Sequence, residues 1–303
     1  MSYLNSPTST FVPLVAIKDN TSNELQTNAE VKVVPPEVTT KPLPFARIQS
    51  PSSINTYKQC PRKYYYQYIE KLPTKPSIHT TRGSIAHSVL ERFFELDITK
   101  IPEENAIFVL KVFINDVFKQ EWEKQKDELA QLDLDQTLLD YYFYETREML
   151  NRWYQYFIHN LAGEMQKYPF VIAFQRLTPK TEEEYASMRY GVKGFIDAVF
   201  KTDEGAVVLD YKTSKNRHIT DAYKLQLALY ALLYQEKHGS PPKKAGIFFL
   251  KHGALDMFEI TDDTLQLAVL ECELIHMNTR SVHQDDYPKQ PGPLCKWKTG
   301  QCD

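Results

Sequence analysis

An aspartate and a lysine stand two residues apart in a segment that is otherwise mostly apolar. The segment, Gly191 to Lys215, reads GVKGFIDAVFKTDEGAVVLDYKTSK. Its Val, Ile, Phe and Leu residues predict two strands joined by a turn at residues 203–205. Because alternate side chains of a strand lie on one face, the carboxylate of Asp210 and the ammonium of Lys212 point the same way.

The turn also determines which residues face each other across the predicted hairpin. With residues 203 and 204 at its tip, Asp197 lies opposite Asp210, with about 5 Å between their Cβ atoms. A bulge after the tip would shift the register by one residue and place Tyr211 opposite instead. Two facing carboxylates repel each other unless a positive group lies between them, and a divalent cation beside the nearby lysine would meet that need.

The same charges have a simpler interpretation. Asp210 and Lys212 could form a solvated ion pair on an edge strand, with Asp197 as an ordinary surface acid. The neighbouring residues argue against this, because the charges interrupt runs of Phe, Ile, Val and Leu that a sheet would bury. Charged groups beside buried strands generally have a role in binding or catalysis.

The pattern G-F-I-D, a turn and V-L-D-Y-K-T resembles the core of the PD-(D/E)XK nuclease superfamily, and most of all its RecB-like exonuclease branch. That branch includes the nuclease domains of bacterial recombination helicase-nucleases and the CRISPR-associated RecB-like exonucleases. The resemblance extends over most of residues 52–251. It implies an α/β fold in which helices flank a mixed central β-sheet, with a helical insertion.

The resemblance also implies a set of metal ligands. The segment TTRGSIAHSVLERFFEL predicts a helix, and its G-x-x-x-H spacing places His87 where the RecB-like branch carries a metal-binding histidine. The helical pattern alone would make His87 a core or boundary histidine. The resemblance implies that one or two Mg²⁺ or Mn²⁺ ions are bound by His87, Asp197, Asp210 and the backbone carbonyl of Tyr211. The implied catalytic residues are Asp197, Asp210 and Lys212, and the lysine would orient water or offset charge on the transition state.

A strong amphipathic helix is predicted over Ala222 to Lys237, with Gln226 and Tyr230 four residues apart on one face. Q-x-x-x-Y carries no signal alone. Its position shortly after D-Y-K resembles the motif with which the RecB-like branch holds DNA near the metal. The resemblance therefore implies that both side chains contact DNA.

Further basic residues could contact the phosphate backbone. The segment SINTYKQCPRKYYYQYI predicts a helix that restarts at Pro61 and resembles the opening signature of the same family. Its interleaved tyrosines and cations could contact bases and phosphates, or the tyrosines could pack on the core while the cations reach outward. The candidate DNA-binding cations are Lys58, Arg62, Lys63 and Lys215.

Four cysteines are too few and too scattered for a disulfide scaffold. Some relatives hold a four-cysteine iron–sulfur cluster, and Cys60, Cys295 and Cys302 lie at comparable places. The usual C-x-x-C pair is absent because Lys298 occupies the expected third position, so the sequence disfavours a 4Fe-4S cluster. Cys272 lies inside a predicted helix and is expected to pack in the core.

Length and composition limit the remaining possibilities. The chain has 303 residues, 42% apolar and 25% charged, which is typical of a soluble globular protein. Its formal charge of -3 requires any nucleic-acid surface to be local. No apolar run approaches the roughly 20 residues that span a bilayer, and the N-terminus lacks a signal-peptide pattern. We expect a soluble intracellular protein without membrane contact, in the cytoplasm of a prokaryotic or virus-infected cell.

The predicted organisation is a single nuclease domain over residues 49–303. Residues 1–48 are rich in Pro, Ser, Thr and Asn without a sustained period, which predicts a disordered tail that could bind a replication or recombination protein. A helical insertion is expected at about 100–168 and a C-terminal tail at about 281–303. The remaining predicted core elements are a first strand at Pro169 to Leu177, antiparallel to a strand at Val192 to Phe200, then a strand at Ala245 to Lys251 and a helix at about Asp262 to Arg280.

The sequence therefore predicts a Mg²⁺- or Mn²⁺-dependent DNA nuclease, and specifically an exonuclease of recombination, repair or replication. Its partner would be DNA that is single-stranded or has free ends. A structure-specific endonuclease is an alternative, since the fold settles neither polarity nor substrate. An inactive DNA-binding scaffold is another, although the intact set of His87, Asp197, Asp210 and Lys212 argues against it.

Overall fold

A five-stranded mixed sheet forms the centre of the structure, a computed structural model that describes residues 45–292 and residue 295. The strands lie in chain order, β3 and β4 are parallel, and all other neighbours are antiparallel. This arrangement confirms the predicted α/β fold with a mixed sheet. The strands are β1 Lys180–Ser187, β2 Val192–Thr202, β3 Gly205–Lys212, β4 Lys244–Phe249 and β5 Ala254–Glu259.

Helices cover both faces of this sheet. One face packs against α3, α4, α6 and α7, which bury Phe200, Leu209 and Phe248 among aromatic side chains. The other face packs against α1, α8 and α9. The helices are α1 Pro51–Gln59, α2 Pro61–Tyr64, α3 Ile78–Phe93, α4 Ala106–Lys124, α5 Lys126–Ala130, α6 Gln136–Met165, α7 Phe170–Arg176, α8 Asp221–His238 and α9 Asp262–Asn278, with a π-helical turn at Tyr65–Ile69 and 3₁₀ turns at Ile98–Lys100, Glu103–Asn105 and Gln284–Asp286.

The hairpin of β2 and β3 has the predicted register. Thr202 pairs with Gly205 around a two-residue turn, and the ladder runs without a bulge to the pair Ala198 and Leu209. Gly205 has a φ of 127°, which a residue with a side chain rarely adopts. Asp197 and Asp210 come directly after the last pair, so the two carboxylates emerge where the strands part.

The prediction of a strand at Pro169 to Leu177 is wrong. Residues 170–176 form α7, because the buried side chains Phe170, Ala173 and Phe174 recur at helical spacing. The first strand is instead β1, whose sequence KTEEEYAS has no apolar run. β1 lies at the edge of the sheet, where a strand needs to bury little and polar residues are tolerated.

Other predicted elements form with adjusted ends. α1 begins after Ser50, whose side chain forms a capping box with Ser53, and Pro61 restarts the helix as expected. The region 102–167 is helical as predicted. Many of its aromatic side chains lie in the core beside the sheet, whereas Phe108, Tyr141 and Tyr144 are exposed. α8 ends at Gly239, whose left-handed backbone caps it ahead of the two prolines.

Parts of both predicted tails lie outside the described residues. They are residues 1–44, 293, 294 and 296–303. Within the described part of the chain, no helix combines the length and the apolar composition that crossing a bilayer requires.

One close backbone approach in the sheet gives a stability prediction. A Cβ atom on Gly246 would lie 2.6 Å from Met257 Cγ and 2.7 Å from the backbone oxygen of Asp256, so β5 would have to move. We expect Gly246→Ala to lower the free energy of unfolding by about 1–3 kcal/mol. Gly163→Ala on α6 meets nothing within 4 Å and should raise it by about 0.5–1 kcal/mol. Urea unfolding measures both, and an unchanged Gly246→Ala variant would contradict the close packing of β4 on β5.

Candidate metal and active site

The predicted catalytic residues converge where β2 and β3 part. α3 supplies His87, whose Nδ1 lies 3.4 Å from Asp197 Oδ2 on β2. β3 supplies Asp210 and Lys212, and the lysine Nζ lies 2.7 Å from Asp210 Oδ2. Asp197 is fixed by the backbone N–H of Tyr211, which donates to Asp197 Oδ2 at 2.7 Å. The structure therefore brings together the five residues predicted as metal ligands or catalytic groups.

Both aspartates are buried, with exposed fractions of 7% for Asp197 and 1% for Asp210. Burial raises the pKa of Asp210 to about 6; the Lys212 ammonium opposes this rise and the charge of Asp197 adds to it. Burial alone would lower the pKa of Lys212, but the Asp210 carboxylate outweighs it and the net direction is upward. The lysine is therefore a charged ammonium at neutral pH, and Asp210 ionises near the edge of the physiological range.

The ring of His87 bridges the carboxylates and the backbone. Its Nε2 lies 2.9 Å from the carbonyl oxygen of Tyr211, while Nδ1 faces Asp197 and, at 3.8 Å, Glu182 Oε1. If Nε2 carries the proton that bonds to the carbonyl, Nδ1 faces two carboxylates and needs a proton or a cation there. Burial alone would lower the pKa of His87, but the negative charge of Asp197 and hydrogen bonds to Asp197 and Glu182 raise it to about 10.

Glu182 is a site residue that the sequence analysis missed. It lies on β1 between the ladder pairs Thr181–Ala198 and Glu183–Ile196, opposite Asp197, and the ladder is interrupted there. Its φ of 46° is in the left-handed region, where a residue with a long side chain is strained. Three consecutive glutamates, 182 to 184, occupy this edge strand, and no periodicity distinguishes the one that turns inward.

The donor atoms at this site fit a divalent cation. One ligand atom each from His87, Glu182 and Asp197 lie within 4.8 Å of one another. Asp210 Oδ2 is enclosed by the protein, and its partner is the Lys212 ammonium, whose Nζ lies 2.7 Å away. Carboxylate, carbonyl and imidazole donors suit Mn²⁺, and the oxygen donors suit Mg²⁺. A cation among these groups would relieve the repulsion between the carboxylates.

Gln226 and Tyr230 of α8 share a face, as predicted, and that face meets the site. Gln226 Nε2 donates to Asp210 Oδ1 at 2.8 Å and to the Tyr230 hydroxyl at 2.9 Å. Burial raises the pKa of Tyr230, which stays a neutral hydroxyl. Within this structure the Q-x-x-x-Y pair orients the carboxylate of Asp210, and its predicted contact with DNA stays a prediction.

The basic residues of the N-terminal helices have partners within the protein. Lys58 forms an ion pair with Glu271 of α9. Arg62 Nε donates to the backbone oxygen of Tyr287 at 2.7 Å, and Lys63 donates to the Gln59 side chain. None of these described contacts reaches a catalytic residue. Lys215, by contrast, is exposed in the loop that directly follows β3.

The cysteines are only partly described. Cys272 is buried in α9, as expected for a packing residue, and burial raises the pKa of its thiol to about 12. Cys60 Sγ, between α1 and α2, accepts a weak hydrogen bond from the backbone N–H of Gln290, and Cys295 is exposed. Cys302 lies outside the described residues, so the prediction about an iron–sulfur cluster stays a prediction.

The strained backbone at Glu182 gives a prediction for the metal-free protein. Glu182→Gly and Glu182→Gln both remove the charge, but only glycine relieves the left-handed conformation, so Glu182→Gly should be more stable by about 1 kcal/mol. At the neighbouring exposed Glu184 the order should reverse, because glycine weakens an ordinary strand. Chemical denaturation of the four variants tests this. If the glycine variant is more stable than the glutamine variant at both positions, or less stable at both, the backbone at Glu182 is not strained as inferred.

Comparison with known proteins supplies the family. The family model of the PD-(D/E)XK nuclease superfamily matches residues 49–303. The CRISPR-associated exonuclease Cas4 of Francisella tularensis subsp. novicida (strain U112) is 42% identical over 57 residues, which are 19% of this chain and 29% of that protein. This chain thus spans less than a third of that relative's length. A crystal structure from Eubacterium rectale, which carries a provisional exonuclease name, has a TM-score of 0.47 and 14% identity, covering 83% of this chain and 86% of that one.

The family match includes all five strands and every predicted catalytic and metal-binding residue. The resemblance inferred from the motifs is confirmed, and the chain belongs to the PD-(D/E)XK nuclease superfamily.

Proposed function

We propose that this protein is a divalent-metal-dependent nuclease that hydrolyses DNA from free ends. Nucleases of this superfamily use divalent metals, and the chain offers His87, Asp197 and Glu182 at metal-binding distances from one another. One observation carries the proposal. Asp197 and Asp210 are buried carboxylates. Asp197 faces the imidazole of His87, and Asp210 faces the ammonium of Lys212. Such an arrangement costs stability and is retained where a cation and a phosphate must be bound.

A bound cation would polarise the scissile phosphate and lower the pKa of a coordinated water. Lys212 would contribute through its charge. Because its pKa is raised, it remains an ammonium and does not accept the proton of the attacking water. With its side chain 20% exposed, it can donate to a phosphate oxygen and offset the negative charge that develops in the transition state.

The remaining residues hold these groups in position. Gln226 fixes one oxygen of Asp210, and the Tyr211 N–H fixes one oxygen of Asp197. His87 Nε2 lies 2.9 Å from the carbonyl oxygen of Tyr211, so this contact restrains the orientation of the ring. Rotamers locked by such contacts keep the ligands ready before substrate arrives, which lowers the reorganisation that the reaction requires.

Attack from a free end is supported by the similarity to Cas4, which is named an exonuclease, and DNA as the substrate is supported by the nuclease family. A structure-specific endonuclease would use the same chemistry. The experiment uses end-labelled single-stranded DNA, end-labelled duplex and closed circular single-stranded DNA, each with Mg²⁺ and with Mn²⁺. We expect linear strands to shorten progressively and circles to survive. Cleavage of circles would replace exonuclease with endonuclease, and intact DNA in every reaction would refute the nuclease proposal.

Substitution of the catalytic pair gives the most direct prediction. Asp210→Ala removes a ligand and Lys212→Ala removes the charge opposite the phosphate, so each should lower hydrolysis at least about 100-fold. Lys201→Ala serves as the matched control, because Lys201 is an exposed lysine of the same hairpin and should leave the rate unchanged. Initial rates are compared after circular dichroism confirms folding. Full activity of either site variant with both metals would exclude its catalytic role.

The raised pKa of His87 predicts a proton linkage. In the metal-free protein a pKa of about 10 keeps the ring protonated at neutral pH, and a metal ligand must be neutral, so binding has to expel the proton. At about pH 7.5 we expect Mn²⁺ binding to release about one proton, and its affinity to rise with pH until the ring titrates. Calorimetry in two buffers of different ionisation enthalpy measures this. Equal proton release by wild type and His87→Gln would contradict ligation by His87.

A further inference from the structure

Two tyrosine rings lie on the surface of α6, outside the aromatic core of that helix. Tyr141 and Tyr144 are 55% and 54% exposed, whereas Trp153 and Phe157 further along the helix are buried. The pair occupies neighbouring positions of one helical face, since residues three apart lie side by side. Exposed rings of this size leave apolar surface in water, and the fold does not require them there.

A short series of contacts joins Tyr141 to the end of β3. The Tyr141 hydroxyl donates to Glu145 Oε1 at 3.3 Å. Glu145 forms an ion pair with Arg82 of α3. Arg82 Nη2 in turn donates to the carbonyl oxygen of Thr213 at 3.4 Å, and Thr213 directly follows the catalytic lysine in the chain. Only two side chains therefore separate Tyr141 from the end of β3.

Cations border the same surface. Lys251 Nζ lies 2.5 Å from Glu145 Oε1, so that carboxylate is matched by two positive groups. The guanidinium of Arg147 lies 4.9 Å from the ring centre of Tyr144. Lys215 is exposed in the loop after β3, and its backbone oxygen lies 3.0 Å from His252 Nε2. On this part of α6 the acids are Asp140, Glu145 and Glu148 and the cation is Arg147. Arg82 and Lys251 come from other segments and pair with Glu145.

We propose that Tyr141 and Tyr144 form a stacking platform for unpaired bases of the strand whose phosphate enters the active site. The inference rests on the proposed nuclease function and narrows its substrate to single-stranded DNA or single-stranded ends. Stacking of bases on aromatic side chains is tolerant of sequence and adds to phosphate contacts along a basic path. In a duplex both faces of each base are already stacked, so the platform discriminates against double-stranded DNA.

The test measures binding without hydrolysis. Fluorescence anisotropy with labelled oligothymidylate and with a duplex, both in EDTA, is compared for wild type and variants. Tyr141→Ala and Tyr144→Ala should each weaken single-strand binding about tenfold and leave duplex binding unchanged. Tyr141→Phe and Tyr144→Phe keep the ring and should bind as wild type. Phe108→Ala is the matched control, since Phe108 is 71% exposed on α4. It follows Ile107, whose carbonyl oxygen accepts a hydrogen bond from Tyr154, about 20 Å along α6 from Tyr141.

Three results would overturn the platform. They are single-strand binding by the alanine variants that equals wild type, equal losses for single strand and duplex, or losses in the phenylalanine variants as large as in the alanine variants. Wild-type hydrolysis of the same oligonucleotide with Mn²⁺ is measured in parallel. If wild type hydrolyses DNA while the alanine variants bind normally, the platform alone is wrong. If wild type neither binds nor hydrolyses DNA, the proposed function is wrong as well.

Discussion

Asp197 and Asp210 carry negative charge in the interior of the protein, and the groups around them are arranged to tolerate it. Lys212, His87 and the N–H of Tyr211 each approach one of the two carboxylates. These contacts do not fully offset the cost of removing the Asp210 carboxylate from water, so its pKa stays raised at about 6. The pKa of His87, raised to about 10, shows that negative charge dominates around its ring. Under the proposed function a divalent cation would supply positive charge there, in competition with the proton on the histidine.

The site is assembled from elements that are distant in sequence, and each makes a different contribution. The hairpin fixes the two aspartates, and α3 brings His87 across the face that α4, α6 and α7 complete. α8 presses Gln226 onto Asp210 from the other face. β1 adds Glu182 through a backbone conformation that is unfavourable for glutamate. The fold thus accepts local strain and like-charge repulsion at one place because both sides of the sheet are otherwise well packed.

The sequence predicts the hairpin but leaves two registers open, because glycine at the end of the turn also permits a bulge, and the structure has the register without one. It also places Asp210 and Lys212 on one face from strand geometry alone.

His87 required the family resemblance, since its helical pattern does not distinguish a ligand from a core histidine. Glu182 could not be selected, because a kink of the backbone decides which of three adjacent glutamates turns inward. The segment 170–176 was misassigned because its aromatic and β-branched residues suggested a strand, while the spacing of its buried residues is helical. The partners of Lys58 and Arg62 come from α9 and the segment after it, which no local pattern connects to them.

The parallel pairing of β3 with β4 has a consequence for synthesis on the ribosome. All the candidate ligands have been translated once Lys212 is made, yet Asp210 pairs with Ile247 and is oriented by Gln226, both of which come later. Until those residues emerge, β3 lacks its partner β4 and Asp210 lacks its contact with Gln226. A nascent chain therefore holds an incomplete centre, and the competence to cut nucleic acid arises only when the crossover helix and its strand have docked.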